Sequence, residues 1–350
     1  MVVVSSPQHG IHRQKSALAE ESGVDIFYLP ISAVPCFPSS PEILIYNKDM
    51  ENDSANVAVI GAGNLGNAVG KLLAANGIAA TLWDVNPAKV PGTKRGLDEI
   101  IPVATHVFLC VPSSAIQGAL QAIVPFLPPD AVIVACPKGM DAGSAKTMGE
   151  LMPELLPQGQ PFAVVGGPML AEEISAGKNA ACVIASSDEQ VLSTLKALLA
   201  SPNLRMETTH DVVGVSLAGI LKNIYAVAIG AADELALGDN EKGWLVAQAL
   251  AEMTSVAQAL GADARTIQGT AGLADLVATA YSPFSQNRTA GALLAKNTVP
   301  TLRGEGLVSL PFLVRRLGAG TQQYPLLNTV KEIGLDGEPA APAFQKLFQA

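Results

Sequence analysis

The chain has 350 residues, 49% of them hydrophobic and only 15% charged, against about 25% charged in an average soluble chain. With a mean hydropathy of +0.32, this composition excludes a largely disordered chain, and the length predicts about two domains. The 22 Lys and Arg against 31 Asp and Glu leave a net charge of −9, which excludes a general nucleic-acid or membrane-surface binder while leaving room for a local basic pocket.

Residues 1–55 are the least regular. Ser, Pro and Gln are frequent there, and Ile43-Leu44-Ile45-Tyr46 is the one clear strand-like run. Two readings stand side by side: an N-terminal extension of unknown role, or a natural start at Met50. From 56 onward, short apolar runs alternate with helix-length segments. Strands are predicted over 56–60, 79–84, 106–111, 131–136, 162–166, 180–185 and 204–207. Helices are predicted between them over 65–76, 114–124, 145–151, 169–176 and 188–199. This alternation predicts an α/β fold, a largely parallel sheet covered on both faces, as a Rossmann-like dinucleotide-binding domain over 56–210. After 210 the strand pattern stops. Helices are predicted over 212–232, 241–260, 262–267, 272–280, 285–295, 310–317, 326–333 and 342–348, an all-α substrate domain over 211–350. The apolar run 212–232 is interrupted by Lys222 and Asn223, which favours a buried helix over a membrane span.

Val57-Ala58-Val59-Ile60 runs directly into Gly61-Ala62-Gly63-Asn64-Leu65-Gly66. A strand, a glycine turn and a helix start in this order form the fingerprint of a dinucleotide site: Gly61 permits the tight turn, Gly63 lets backbone approach a pyrophosphate, Asn64 and Leu65 open the helix whose N–H groups and dipole face the phosphates, and Gly66 allows close packing. Asp84 ends the second strand, 18 residues beyond Gly66. A carboxylate there accepts from ribose hydroxyls and repels a 2′-phosphate, so NAD is favoured over NADP.

Lys222 and Asn223 need partners or a task in their apolar surroundings. Burial depresses a lysine pKa, suiting Lys222 to general acid/base work on a substrate oxygen. Lys138 follows the strand at 131–136, at the strand end where ligands bind in open α/β sheets; Gly167 has the same placement after the next strand. Asp275, among apolar residues, is placed to pair with or orient Lys222. Ser285-Gln286-Asn287-Arg288 reads as a capped helix start, and helix N-termini favour anions. Cys36, Cys110, Cys136 and Cys182 show no metal-ligand spacing, and no metal site is expected. Free cysteines in apolar runs point to a reducing compartment and hence to the cytoplasm.

In this order, these residues resemble the NAD(P)-dependent glycerol-3-phosphate dehydrogenases. The most specific stretches are Leu221-Lys-Asn-Ile-Tyr-Ala-Val-Ala228, Gly238-Asp-Asn-Glu-Lys242, Ala271-Gly-Leu-Ala-Asp-Leu-Val-Ala-Thr279, Ser285-Gln-Asn-Arg288 and Gly304-Glu-Gly306. The resemblance implies reversible hydride transfer between NAD(P)H and dihydroxyacetone phosphate, giving sn-glycerol 3-phosphate. It implies Lys222 as the proton-exchanging residue, Asp275 as its acidic neighbour, and Lys138 touching both cofactor and substrate; in the mechanism expected here, Asp275 and Asn223 orient the lysine. Gly167, Ser285, Gln286, Asn287 and Arg288 fall at substrate positions, and Pro112, Ala171 and Glu305 on the cofactor side.

The chain departs from the family pattern. Gln286 stands where members usually carry a phosphate-gripping Arg, and Arg288 is a candidate to compensate. Met169 and Leu170 replace small hydroxyl and aromatic residues. The segment 85–105 is short, while Phe27-Tyr28-Leu29-Pro30 echoes its missing wording. A dehydrogenase for another small 2-hydroxy or 2-keto compound, or a non-catalytic NAD-binding protein, is therefore the alternative. The expected partner is a phosphorylated small molecule, and the apolar helical domain suits a homodimer.

Overall fold

Seven short runs rich in Val, Ile, Leu and Ala build the central sheet of the chain. In the computed structural model these strands are Val57–Ile60 (β1), Ala80–Trp83 (β2), His106–Leu109 (β3), Val132–Ala135 (β4), Phe162–Gly166 (β5), Ala180–Ala185 (β6) and Leu204–Thr209 (β7). The structure describes residues 55–92, 95–300 and 304–349, with the backbone of Asp25–Ile26 and Ile45–Tyr46. Met50 and Phe27–Pro30 lie outside the described residues. Ile45–Tyr46, within the predicted strand at 43–46, pairs antiparallel with Asp25–Ile26. Residues 1–54 and 55–350 form two separate units, and the second carries the central sheet and the helices around it.

The strand order is β2-β1-β3-β4-β5-β6-β7. All neighbours are parallel except β5 and β6, which run antiparallel with Val165 opposite Ile184. The expectation of a largely parallel sheet therefore holds with one reversal, which has a physical reason. Only residues 167–179 join β5 to β6, about the minimum for a parallel crossover. Running β6 back keeps this whole connection, including the helix Ala171–Ser175, at the end of the sheet where β5 finishes. The sheet ends at β2, and no strand lies beyond it among the described residues, in keeping with the short segment after Asp84. β1 and β4 are buried along their full length, which explains their unbroken apolar sequences.

The helix Val212–Glu234 is the axis of the remainder. It is long and apolar enough to cross a membrane, but nearly all of it is buried inside the protein itself. It shares one apolar core with the sheet, through Val164 and Ala185 of the strands and Val215, Leu217 and Leu221 of the helix. β7 ends at Thr209, just before this helix, and 55–350 behaves as a single compact unit.

Several helices differ from expectation. The segment 272–280 is not one helix: a π-helical turn, Thr270–Ala274, precedes the α-helix Asp275–Tyr281. The predicted helix at 310–317 begins earlier, at Gly304, and runs through Pro311 to Leu317. Glycines at 304 and 306 and an internal proline weaken the helix signal, while burial of Leu307, Leu310 and Leu313 supplies the packing that overrides it. The helix expected at 145–151 is shifted to Met148–Leu155, started by a capping box between Thr147 and Glu150.

Candidate active site

The carboxyl ends of β1 to β5 converge on one cleft of about 880 Å³. β1 delivers Gly61, β2 Asp84, β3 Pro112 and β4 Lys138 to its lining. The other wall comes from Lys222 and Asn223 of the central helix, Thr279, the helix start Ser285–Asn287, and Glu305. This is the strand-end position where open α/β sheets hold ligands.

The glycine loop suits a dinucleotide. Gly61 has φ +101°, and a side chain there would meet the Cys110 carbonyl at 2.6 Å. A Cβ on Gly63 would meet nothing within 4 Å, so backbone is laid bare to the cleft. Gly63 caps the helix Asn64–Ala75 without any side-chain hydrogen bond, and no acidic residue lies in its first turn. Its free N–H groups and dipole are thus available for a pyrophosphate. Gly66 packs against the Gly61 carbonyl instead of lining the cleft. The Asp84 carboxylate accepts from the Ala62 N–H (2.9 Å) and the Asn86 N–H (2.9 Å) and lies 3.3 Å from Lys89 Nζ. Burial pushes its pKa up, but these donors outweigh that and hold it below the ordinary value.

At the other end, two lysines share one carboxylate. Lys138 Nζ donates to Asp275 Oδ2 (2.6 Å) and to the Gly167 carbonyl (2.7 Å). Lys222 Nζ lies 3.1 Å from Asp275 Oδ1 and donates to Thr279 Oγ1 at 2.6 Å. The Thr279 hydroxyl in turn donates to Asp275 Oδ1 at 3.3 Å. Burial depresses the Lys222 pKa; Asp275 pulls it up and Lys138 pushes it down, and the result is about 8. Burial works to raise the Asp275 pKa, yet the two lysines hold it below the ordinary carboxylate value. An ammonium has three N–H donors. Lys222 spends two on Thr279 and Asp275, leaving one for a ligand oxygen.

Asn223 does not touch the Lys222 amine. It donates to the Lys138 carbonyl (3.2 Å) and accepts from Asn287 Nδ2 (2.8 Å), while Asn287 Oδ1 accepts from the Gly306 N–H (2.9 Å). The orienting place beside Lys222 belongs to Thr279, which was not singled out from the sequence. Its signal was present: Thr279 is one helical turn after Asp275 and so on the same face. Ser113 was also missed. Its N–H and hydroxyl donate to the Glu305 carboxylate at 3.1 and 2.6 Å, joining the end of β3 to the helix Gly304–Leu317.

The helix start Ser285–Asn287 reaches this site because Gly230 and Gly291 let two helices cross almost backbone to backbone. A side chain at Gly230 would collide with the Arg288 carbonyl, and one at Gly291 with the Val227 carbonyl. Ser285 caps its helix by accepting from the Arg288 N–H. Gln286 is exposed and lines the cleft, whereas the Arg288 guanidinium is ion-paired with Asp233 and lies outside the lining. Gly167 and Asp275 stand behind Lys138, and Asn64, Leu65 and Ala171 line the cleft near the glycine loop, with Asn64 bonded to Glu172.

Two family models match, described as the C-terminus of NAD-dependent glycerol-3-phosphate dehydrogenase over residues 211–345 and its N-terminus over 92–192. A glycerol-3-phosphate dehydrogenase [NAD(P)+] of Streptomyces avermitilis is 37% identical over 323 residues, 83% of this chain and 95% of that protein. One from Geobacter sulfurreducens is 32% identical over 84% of this chain and 97% of its own. The crystal structure of glycerol-3-phosphate dehydrogenase from Coxiella burnetii superposes with a TM-score of 0.75 at 27% identity, covering 85% of this chain and 99% of that one. A ketopantoate reductase from Ralstonia eutropha shares the fold at 18% identity and a TM-score of 0.54. The chain belongs to the NAD-dependent glycerol-3-phosphate dehydrogenase family and is an NAD(P)-dependent dehydrogenase of the class acting on CH–OH groups.

Proposed function

We propose that the chain interconverts dihydroxyacetone phosphate and sn-glycerol 3-phosphate, with Lys222 as general acid/base. The observation that carries this reading is the Lys222 amine, buried at the cleft with a pKa of about 8 and one N–H left over. Gly63, Asn64 and Leu65 would hold the cofactor pyrophosphate on the turn made by Gly61, whose own N–H is donated to the Trp83 carbonyl (2.8 Å), with Asp84 at the ribose end favouring NADH; when bound, the nicotinamide supplies or takes the hydride. Lys222 then gives its proton to the ketone oxygen, or takes the hydroxyl proton in the reverse direction. Asp275 and Thr279 fix the amine's direction and stabilise its charged form. Lys138 directs its remaining N–H into the cleft, and Asn287 holds the far end of the substrate beside the helix start at Ser285. Family resemblance and the buried, unpaired Cys110, Cys136 and Cys182 among the described residues support a cytoplasmic enzyme, and the apolar helical half supports a homodimer.

A second reading has its own observation. Gln286 brings no charge to the cleft, and Arg288 is committed to Asp233, so a substrate with a less charged end than a phosphate also fits. The test is oxidation of NADH and NADPH with dihydroxyacetone phosphate, beside a panel of 2-keto compounds. Turnover fastest with the phosphate supports the first reading. A faster keto acid supports the second, and tight NADH binding without any turnover refutes both.

A further inference from the structure

The ribose end of the cleft carries an arrangement that a bare acidic residue would not need. Asp84-Val85-Asn86 enters a one-turn helix, Pro87–Lys89, whose start is capped by the Asn86 side chain accepting from the Ala88 N–H. The turn folds the chain back, so that Lys89 Nζ returns to 3.3 Å from Asp84 Oδ2. Both residues line the cleft. They differ in freedom: the Asp84 side chain is 7% exposed and the Lys89 side chain 49%.

A carboxylate offers about four lone-pair sites. Three of those on Asp84 are taken, by the Ala62 N–H, the Asn86 N–H and Lys89. The two backbone donors belong to the loop itself and stay. Lys89 is the partner that can leave, and it balances the negative charge that would otherwise repel a phosphate on the 2′ oxygen.

We propose that Lys89 is the cofactor-discriminating residue of this chain, swinging from Asp84 to a 2′-phosphate and thereby admitting NADPH to a site that Asp84 alone would reserve for NADH. The proposal rests on the cofactor site described above and not on the identity of the reduced substrate. In the presence of NADH, Lys89 yields a lone pair of Asp84 to a ribose hydroxyl. In the presence of NADPH, it donates to the 2′-phosphate, and Asp84 keeps its two backbone donors.

The test uses fragments that need no turnover: calorimetric titration of the full chain with 2′,5′-ADP and with 5′-AMP. The wild type is expected to bind both, with 2′,5′-ADP the more weakened by added salt. Lys89→Ala should lose about tenfold or more in 2′,5′-ADP affinity, the usual effect of one charge-assisted contact, while 5′-AMP stays within about twofold. Lys89→Glu should lose more, and Lys89→Arg should recover most of the binding. Equal losses for both fragments, or no loss in either, would overturn the proposal. So would a wild type that binds 5′-AMP but not 2′,5′-ADP. A chain that binds 5′-AMP yet reduces no dihydroxyacetone phosphate would instead overturn the substrate reading, leaving this result interpretable.

Discussion

Replacing Lys222 with Met isolates the amine from its stem. Methionine keeps an unbranched chain of similar volume in the central helix, so the buried crossing beside Thr279 and Asp275 is preserved. The catalytic consequence is large, because a positioned general acid contributes about 10²- to 10⁴-fold. The consequence for stability is much smaller, since two effects oppose each other. The fall of the Lys222 pKa from 10.5 to about 8 means that the burial cost of the charged amine outweighs the pull of Asp275. Removing it relieves that cost. Against this, Asp275 loses one of its two cations but keeps Lys138 at 2.6 Å, so its charge is not stranded. The expected result is turnover reduced at least 100-fold, with NADH binding and thermal midpoint close to wild type. Steady-state NADH oxidation, fluorescence titration of NADH and a thermal melt measure the three. Turnover within about threefold of wild type would refute the assignment of Lys222 as acid/base; loss of folding would refute the balance drawn around Asp275.

The depressed Lys222 pKa fixes the sign of the pH dependence. Reduction of the ketone needs the protonated amine, so its kcat/KM should be level below about pH 8 and fall above it; oxidation of the alcohol needs the free amine and should rise through the same pH. Profiles flat in both directions would contradict the geometry around Asp275. Gln286→Arg places a guanidinium on the exposed first turn of its helix and should lower KM for dihydroxyacetone phosphate by about tenfold or more, measured by steady-state kinetics. An unchanged KM would place the phosphate elsewhere. Gly291→Leu would drive a side chain into the Val227 carbonyl and should lower the thermal midpoint and abolish turnover together. Gly243→Ala, within the helix Asp239–Ala259 and with nothing near its Cβ, should leave both intact or raise stability by about 1 kcal/mol.

Much of the fold was legible because it depends on local pattern. Strand runs such as Val57–Ile60 and Val132–Ala135 are unbroken apolar segments, and the switch to helix-only periodicity after 210 marks the end of β7. The boundaries that misled were those where long-range packing outweighs propensity. Pro311 sits inside a helix because Leu310 and Leu313 are buried on either side of it, and Thr270–Ala274 winds as a π-turn before Asp275. The reversal of β6 was not legible either, because strand direction leaves no mark on strand sequence.

Residue chemistry shows the same division. Spacing along the chain is enough to mark the glycine loop at Gly61–Gly66, the acidic residue at Asp84, and the presence of a lysine, an aspartate and an asparagine in apolar surroundings that demand partners. Those features follow from spacing and from the cost of burying charge. Which partner each group took was decided by the tertiary structure alone. Asp275 is shared between Lys222 and Lys138 across segments more than fifty residues apart, and Asn223 serves Asn287 and not Lys222. Arg288, two residues beyond Gln286, is drawn to Asp233 and away from the cleft. Hydrogen bonds and ion pairs act over about 3 Å, and only the packing of the central helix against the sheet and against Gly291 brings those distant residues within that reach.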